Sequence, residues 1–299
     1  YGIPEFNTRF VRQMLEVTRP KTFSELVRIS GLSHGTNVWL NNAQDLSKNG
    51  IAGLNEVIAT RDDIMIYLIQ KGLDKKEAFK IMEKVRKGKG LSSEEMEHMR
   101  ANNVPQWYID SCNRIEYMFP KAHAVAYVMM AFRIAYYKVH YPLAFYASYF
   151  TVRAQDFDEV ITAGADAIRR RLDEIEEMGP QAPAKDKNLV PVLEVALEMW
   201  VRGFRFFPVD LYRSHASRFE IVPGGLLIPF SALPGVGLAA ANNLMEGRNG
   251  GPFTSLEDLQ RRGRVNKAVI DILDRAGCLK DLPPTDQLSL FAEIADSSK

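Results

Sequence analysis

Apolar residues recur at helical spacing over roughly the first two hundred residues, and capping residues and glycines divide this stretch into separate helices. Ser92-Ser93-Glu94-Glu95 predicts a helix start, because its carboxylates fall where the helix dipole favours negative charge. Gly31 is predicted to end the first helix, and segment 122–141 is predicted to be largely buried. Predicted helices cover residues 24–30, 62–71, 75–86, 105–118, 122–141, 145–151, 161–177 and 189–202, with a further helix starting at 92.

The pattern changes near residue 203. Residues 205–209 and 219–222 have the composition of short strands, and Pro223-Gly224-Gly225 predicts a hairpin turn into a third strand. After residue 229 the helical pattern returns as two helix-hairpin-helix units in series. The predicted fold is therefore mainly α, with a small strand platform and a tandem helix-hairpin-helix module. Residues 283–299 are polar apart from one apolar island, and they are predicted to form a disordered tail.

Composition is typical of a soluble globular chain: 299 residues, of which 46% are apolar and 25% charged, are enough for two modest domains. Two cysteines exclude a disulfide framework or a zinc site, which favours a reducing cytoplasm. Charged residues and a proline interrupt the most apolar stretch, 124–150, so no membrane span is predicted. The chain lacks a signal peptide and an initiator Met, and we expect it to begin inside a longer polypeptide.

Charge is nearly balanced overall, with a net value of +1, but two local clusters are strongly basic. Residues 80–90 carry five basic side chains and one acid, and residues 260–267 carry four basic side chains and no acid. Such clusters are usually solvated faces of the protein. They indicate a binding site only where phosphate-binding geometry lies beside them.

A glycine-rich hairpin supplies that geometry. The glycines of Gly235-Val236-Gly237 allow a tight turn and a close approach of the backbone to a partner. Amides of the turn and the next helix start would then point outward together, an anion site that suits the DNA backbone and ignores base sequence. An ordinary helix–helix turn is the alternative interpretation. The predicted DNA-binding residues are Gly235, Val236, Gly237, Arg261, Arg262, Arg264 and Lys267.

The start of segment 122–141 is a second candidate site. Helical spacing places His123 and Tyr127 on one face, above small alanines that could receive a flat or sugar-like ligand. Lys121, at the helix start, opposes the helix dipole unless an anion is nearby. The competing interpretation is a core helix whose polar side-chain ends are hydrogen-bonded within the protein.

Arg61-Asp62-Asp63 precedes another apolar helix. Adjacent aspartates in a helix point about 100° apart and share a metal poorly, so capping or ion pairing is favoured over metal binding. Arg61 is the candidate phosphate ligand of this group.

Several motifs occur in a fixed order along nearly the whole chain. The motifs are Gly2-Ile3-Pro4-Glu5-Phe6, Arg28-Ile29-Ser30-Gly31-Leu32-Ser33-His34-Gly35-Thr36, Arg61-Asp62-Asp63-Ile64-Met65, Val85-Arg86-Lys87-Gly88-Lys89-Gly90, Trp107-Tyr108-Ile109-Asp110-Ser111-Cys112, Met118-Phe119-Pro120-Lys121-Ala122-His123-Ala124 and Tyr149-Phe150-Thr151-Val152-Arg153-Ala154.

Together these motifs resemble the fingers of PolC, the replicative DNA polymerase III alpha subunit of Gram-positive bacteria. The resemblance implies the C-terminal portion of such an enzyme: fingers over residues 1–202, a duplex-binding helix-hairpin-helix domain over 203–282 and a clamp-binding tail over 283–299. Two positions depart from the family pattern, since Asn37 replaces an expected acid and Ala59-Thr60 replaces an expected Gly-Cys.

The resemblance also implies ligands and partners. His123 and Tyr127 would lie near the sugar and base of an incoming deoxynucleoside triphosphate, while Lys121 and Arg61 would serve its phosphates. This portion would bind primer-template duplex but no metal or cofactor, because the metal-binding aspartates and their Mg²⁺ belong to a palm expected upstream in the same polypeptide. The tail would dock on the bacterial sliding clamp through Gln287, Leu288, Ser289, Leu290 and Phe291.

Two other functions remain open from the sequence. One is a stand-alone DNA-binding or scaffold protein with a partner-recruiting tail, and the other is the related DnaE-type polymerase. The tail could also fold back on the body instead of binding a partner. An open reading frame upstream with a palm that carries paired aspartates would favour the polymerase over the scaffold.

Overall fold

The computed structural model describes residues 1–285, and over this range the fold is mainly α with one small sheet, which confirms the predicted fold class. The apolar island of the predicted tail lies outside the described residues. The α-helices are α1 Arg9–Thr18, α2 Phe23–His34, α3 Gln44–Lys48, α4 Arg61–Gln70, α5 Lys75–Val85, α6 Ser93–Ala101, α7 Gln106–Arg114, α8 Lys121–His140, α9 Pro142–Val152, α10 Ala165–Met178, α11 Ala184–Val201, α12 Leu238–Arg248, α13 Leu256–Arg262 and α14 Lys267–Arg275.

Most predicted helix starts are correct because their capping chemistry is local. Ser92 and Glu95 form a reciprocal capping box at α6, and Asp74 accepts hydrogen bonds from two amides at the start of α5. The predicted end of α2 at Gly31 is wrong. The helix continues to His34, and Gly31 instead marks a close approach, since a Cβ there would lie 2.5 Å from the carbonyl oxygen of Ala59.

Contacts within the chain define two compact units, which are described separately. The first consists of residues Ile3–Ala135, and α4 packs against α5 within it. Its core includes large side chains with no exposed surface, contributed by four different helices: Ile29, Ile64, Ile81 and Met99. Helix α7 ends at Arg114, earlier than predicted, because Ile115 is extended and Tyr117 forms a bridge with Thr36.

The second unit consists of Tyr1–Gly2 and the chain from Tyr136 onward. Here α10 packs against α11, and Phe150 meets Phe206, Phe157 and Phe219 at ring-centroid distances of 5.0, 6.3 and 5.8 Å. The predicted strand platform is present as β1 Arg205–Phe207, β2 Glu220–Val222 and β3 Gly225–Leu227. Strand β3 is central, parallel to β1 and antiparallel to β2.

The last described residues are attached to the start of α13. The amide of Leu256 donates to the carbonyl of Pro283 at 2.9 Å, and the Thr285 hydroxyl donates to the Glu257 carboxylate at 2.9 Å. Residues 283–285, which the composition assigns to the tail, therefore make defined contacts with α13.

Helix α8 is where prediction and structure differ most. The sequence predicts a largely buried segment, yet only Ala124, Val128 and Ala131 are buried, so the prediction is wrong. An apolar pattern identifies side chains that avoid water but cannot tell a protein core from a surface that another molecule covers. The large apolar side chains exposed on α8 are Val125, Tyr127, Met129, Met130, Phe132, Tyr136, Tyr137 and Val139. No helix among residues 1–285 is both long and apolar enough to cross a membrane.

Candidate functional sites

The first hairpin joins a single 3-10 turn, Phe230–Ala232, to α12. Gly235 has φ +94°, a backbone conformation that favours glycine, and Val236 is buried beneath the turn. Gly237 is the N-cap of α12 and provides no side chain to cap it. The first amides of α12 are consequently left without a side-chain acceptor, next to two exposed glycines.

The second hairpin has matching positions with different chemistry. Arg264 occupies the positive-φ position (φ +46°), and Val265 is buried as Val236 is. Asn266 is the N-cap of α14, but its side-chain oxygen accepts a hydrogen bond from the Val269 amide at 3.0 Å. The second hairpin therefore has one fewer open amide and presents charged side chains instead.

The four predicted basic ligands of this hairpin do not share one environment. Arg262 points into the module, where its guanidinium lies 2.8 Å from the Asp258 carboxylate and 4.7 Å from the Phe253 ring centroid. It also donates to the carbonyl oxygens of Gly247, Gly251 and Pro252 at 2.7, 2.7 and 3.0 Å. These contacts favour a structural role for Arg262, and its predicted contact with DNA stays a prediction.

Asp258 is the carboxylate with which Arg261 and Arg262 pair on α13, the helix that precedes the second hairpin. Burial alone would raise its pKa, but hydrogen bonds from Arg261 and Arg262 outweigh burial and hold the pKa at about 2. Arg261 pairs with it at 2.6 Å while keeping 76% of its own side chain exposed. Arg264 and Lys267 are exposed and form no ion pair with any residue from 1 to 285. The cations that remain available to a phosphate are therefore Arg261, Arg264 and Lys267.

Two aspartates contact Lys121, the first residue of α8. The Lys121 amide donates to Asp62 at 2.7 Å, and the Lys121 ammonium lies 3.3 Å from Asp63. Asp63 is also 3.6 Å from Arg28 and caps the start of α4 through the amide of Thr60 at 2.9 Å. The aspartate pair thus acts in capping and ion pairing. Within residues 1–285 no cluster of three or more His, Cys, Asp or Glu side chains could hold a metal.

An aromatic cluster follows directly along α8. His123 meets Phe119 edge to face at 4.8 Å and Tyr127 at 4.5 Å between ring centroids, and both His123 and Tyr127 are exposed. His34 stacks on Phe119 at 4.9 Å, while its ring nitrogens contact Glu5 at 3.1 Å and the Ser30 carbonyl at 2.8 Å. The sequence predicts His123 and Tyr127 as neighbours but does not identify His34 or Phe119 as members of the same cluster.

Arg61 begins α4 close to this cluster. Its amide donates to the carbonyl of Phe119 at 3.2 Å, which ties the start of α4 to the segment that precedes α8. The guanidinium is half-buried and makes no hydrogen bond or ion pair with the residues that the structure describes. The structure therefore brings Arg61, Lys121 and His123 to one region, with Phe119 as the common neighbour. The predicted clamp ligands, residues 287–291, lie outside the described range.

Comparison with known families gives two matches, one at each end of the chain. The bacterial DNA polymerase III alpha subunit finger domain matches residues 1–106, and a helix-hairpin-helix motif matches residues 203–287. The chain is 62% identical over 291 residues to the PolC-type DNA polymerase III of Caldanaerobacter subterraneus. The resemblance to PolC is confirmed. The PolC-type polymerases of Bacillus subtilis and Clostridium perfringens are 60% and 57% identical to this chain.

These matches cover 97% of the chain but only 20 to 21% of the relatives, so the chain spans about a fifth of the length of the PolC-type polymerases it matches. The helix-hairpin-helix match begins at residue 203, where the sequence pattern changes from helix to short strands. The finger-domain match ends at Gln106, the first residue of α7, before the aromatic cluster of α8.

Proposed function

We propose that this chain is the nucleotide-gripping and duplex-gripping portion of a replicative DNA-directed DNA polymerase in the cytoplasm, with its catalytic palm elsewhere in a longer polypeptide. The observation that carries the proposal is the identity of about 60% over nearly the whole chain to PolC-type polymerases that are roughly five times longer. Phosphoryl transfer depends mainly on positioning and charge neutralisation, and this portion would supply the positioning.

The nucleotide site of the proposal is the exposed face of α8 together with Arg61. Exposed rings of His123 and Tyr127 offer a surface for the sugar and base, and Arg61 offers a guanidinium with no partner among residues 1–285. Lys121 is paired with Asp63, but its side chain is 42% exposed, and a surface ion pair is weak enough for a triphosphate to displace.

Nucleotide binding is tested by photocrosslinking an azido-deoxynucleoside triphosphate to the full 299-residue chain. Crosslinking should fall at least fivefold in Arg61→Gln and His123→Ala, because each removes a contact of about 1 kcal/mol or more. His140→Ala is the matched control, since His140 is an exposed histidine on the same helix, and its ring centroid lies 4.2 Å from that of Tyr136. Equal losses in all three variants would contradict the site.

Duplex binding is expected to be independent of base sequence and to weaken steeply with salt, because phosphate contacts release counterions. Fluorescence anisotropy with two unrelated duplexes across a salt series measures both properties. A strong preference for one duplex, or an affinity unchanged by salt, contradicts the proposal.

The chemistry itself is assigned to the absent palm and its Mg²⁺ ions. The chain alone should not extend a primer with Mg²⁺ or Mn²⁺ present. Nucleotide incorporation by a preparation of this chain that contains no palm would contradict the assignment of the chemistry to the palm.

The sliding clamp is the proposed partner of residues 287–291. Leucine and phenylalanine residues within an otherwise polar segment are typical of a short docking motif, and each could contribute about 1.5–3 kcal/mol before ordering costs. A synthetic peptide of residues 283–293 should bind the bacterial clamp with micromolar affinity in a calorimetric titration. The peptide with Leu290→Ala and Phe291→Ala should not bind, and unchanged binding would eliminate the motif.

A further inference from the structure

Helix α5 presents a basic face with an aromatic side chain at its centre. The face consists of Lys75, Lys76, Phe79 and Lys80, which line an open surface depression of about 390 Å³. The opposite face of α5 is buried through Ala78, Ile81, Met82 and Val85. Core packing therefore fixes the rotation of the helix, and the basic face points to solvent as a consequence.

The aromatic side chain of this face is only partly packed against the fold. Phe79 is 51% exposed, although a phenylalanine buries more apolar surface than most residues and usually contributes to a core. It lies one helical turn from Lys75 and from Lys76, and directly beside Lys80. An open ring surrounded by ammonium groups combines a stacking platform with a positive field.

The cations of this face are available, unlike Lys84, Arg86 and Lys87 of the same segment. Lys84 pairs with Glu95 at 2.6 Å, and Glu83 pairs with both Arg86 and Lys87 at 2.5 and 2.9 Å. Three of the five cations that the sequence singles out at 80–90 are thus ion-paired within the fold.

By contrast, Lys75, Lys76 and Lys80 form no ion pair with any residue from 1 to 285. Two nearby acids are engaged elsewhere, since Asp74 caps α5 and Glu77 contacts His98 at 2.7 Å. The three ammonium groups of the face are therefore left without a directly paired carboxylate among the residues that the structure describes.

We infer that this basic face of α5 binds single-stranded DNA, with an unpaired base stacked on Phe79 and the adjacent phosphates held by the three lysines. A duplex fits the face poorly, because its bases are already stacked on one another and cannot cover the ring. An acidic peptide would satisfy the lysines but has no need of an aromatic ring. The surface consists of residues other than those of the proposed nucleotide and duplex sites, and the inference does not depend on those sites.

The position of stacking is tested by photocrosslinking the full chain to a thymidine oligonucleotide that carries 5-iododeoxyuridine, followed by peptide mapping. The expected product is a crosslink at Phe79. Phe79→Leu should bind the oligonucleotide about tenfold more weakly, because it keeps apolar surface but loses the ring, and Phe79→Tyr should restore binding. Crosslinks confined to other parts of the chain, or equal binding by the leucine and wild-type chains, would overturn the inference.

The lysines are tested by the salt dependence of the same complex. Changing Lys75, Lys76 and Lys80 to Gln should flatten the logarithmic salt slope by about 2, since a single strand contributes about 0.7 for each phosphate neutralised. Lys48→Gln is the control, because Lys48 is exposed on α3, outside this face. A contact through charge alone would be indicated if the lysine changes weakened binding while the Phe79→Leu, Phe79→Tyr and wild-type chains bound the oligonucleotide alike, and that result also rejects the inference.

Duplex affinity, measured in parallel, separates this surface from the proposed function. The α5 variants should keep wild-type duplex binding, whereas loss of the hairpin grip would affect duplex and leave the Phe79 crosslink in place.

Discussion

The two hairpins of the helix-hairpin-helix module follow similar backbone paths but provide different chemistry. In both, a positive-φ residue precedes a buried valine and then the N-cap of a helix. The first hairpin fills the outer positions with Gly235 and Gly237, and the second fills them with Arg264 and Asn266. The first therefore offers backbone amides at close range, whereas the second caps its helix internally and offers charged side chains.

The stems of the hairpins differ as well. The first follows a single 3-10 turn, while the second follows α13 and ends it with a bond from the Val265 amide to the Gln260 carbonyl, the pattern of a Schellman motif. Asp258 and Arg262 hold the second stem by ion pairing. A short loop of the same shape can thus be held by apolar packing or by a buried charge network.

The largest expected effect is on the stability of the second stem. Asp258→Asn should lower the free energy of unfolding by about 3 kcal/mol, because it leaves the partly buried Arg262 without its counter-ion. Chemical denaturation of the full chain measures the change. Asp271→Asn on the exposed face of α14 is the control. A comparable loss of unfolding free energy in that variant would show that the ion pair of Asp258 with Arg262 is not the cause of the effect.

The same network predicts a pH dependence. The pKa of Asp258 is lowered to about 2 in the folded chain, so its stabilising contribution is complete above the ordinary carboxyl value and is lost as pH falls from about 4 to about 2. The difference in stability between wild type and Asp258→Asn should shrink over that range. A constant difference would mean that the carboxylate charge does not contribute.

Side-chain charge at the second hairpin should matter next. Arg264→Gln with Lys267→Gln should weaken duplex binding about tenfold at low salt and flatten the logarithmic salt slope by about 1.8, or about 0.9 for each phosphate that is no longer neutralised. Arg275→Gln tests specificity, because Arg275 is an exposed cation at the other end of α14. The idea that the second hairpin works through charge fails if all three chains share one slope.

Backbone access at the first hairpin should give a smaller effect. A Cβ at Gly237 would meet no atom within 4 Å, and its φ is −70°, so Gly237→Ser should fold normally and even cap α12. The added side chain should nevertheless reduce duplex affinity about fivefold by holding a phosphate away from the amides. Asn266→Ser, the equivalent N-cap change in the second hairpin, should have little effect on binding.

The smallest expected change is a gain in stability. Arg264 holds a left-handed conformation at the position where Schellman motifs favour glycine, so Arg264→Gly should stabilise the chain by about 0.5 kcal/mol after the added entropy of the unfolded state. Its duplex affinity should fall, and the single variant Arg264→Gln should lose affinity to the same extent, because both changes remove the guanidinium. A thermal melt in which glycine and glutamine variants unfold together would show that the conformation carries no strain.

How much of this the sequence predicts depends on the range of the interaction involved. The helix start at Ser92 is predicted correctly because its side chain caps the amide of Glu95, only three residues away. The internal role of Arg262 is not predicted, although Asp258 stands four residues earlier and offers the signal of an i,i+4 pair.

Contacts over longer distances could not be predicted. The stacking of His34 on Phe119 joins residues far apart in the sequence, and no local pattern specifies it. The exposure of α8 escapes prediction for a different reason. Its residues are apolar on most sides, and composition does not say which molecule covers them.

The attachment of residues 283–285 to α13 has a mechanical consequence. Because the Pro283 carbonyl and the Thr285 hydroxyl are bonded to Leu256 and Glu257, a force applied to the chain beyond residue 285 reaches the module at the start of α13. That helix leads directly into the second hairpin and its charge network. A tether pulled from this end would load the hairpin that carries the side-chain cations before it loads the hairpin built from glycine.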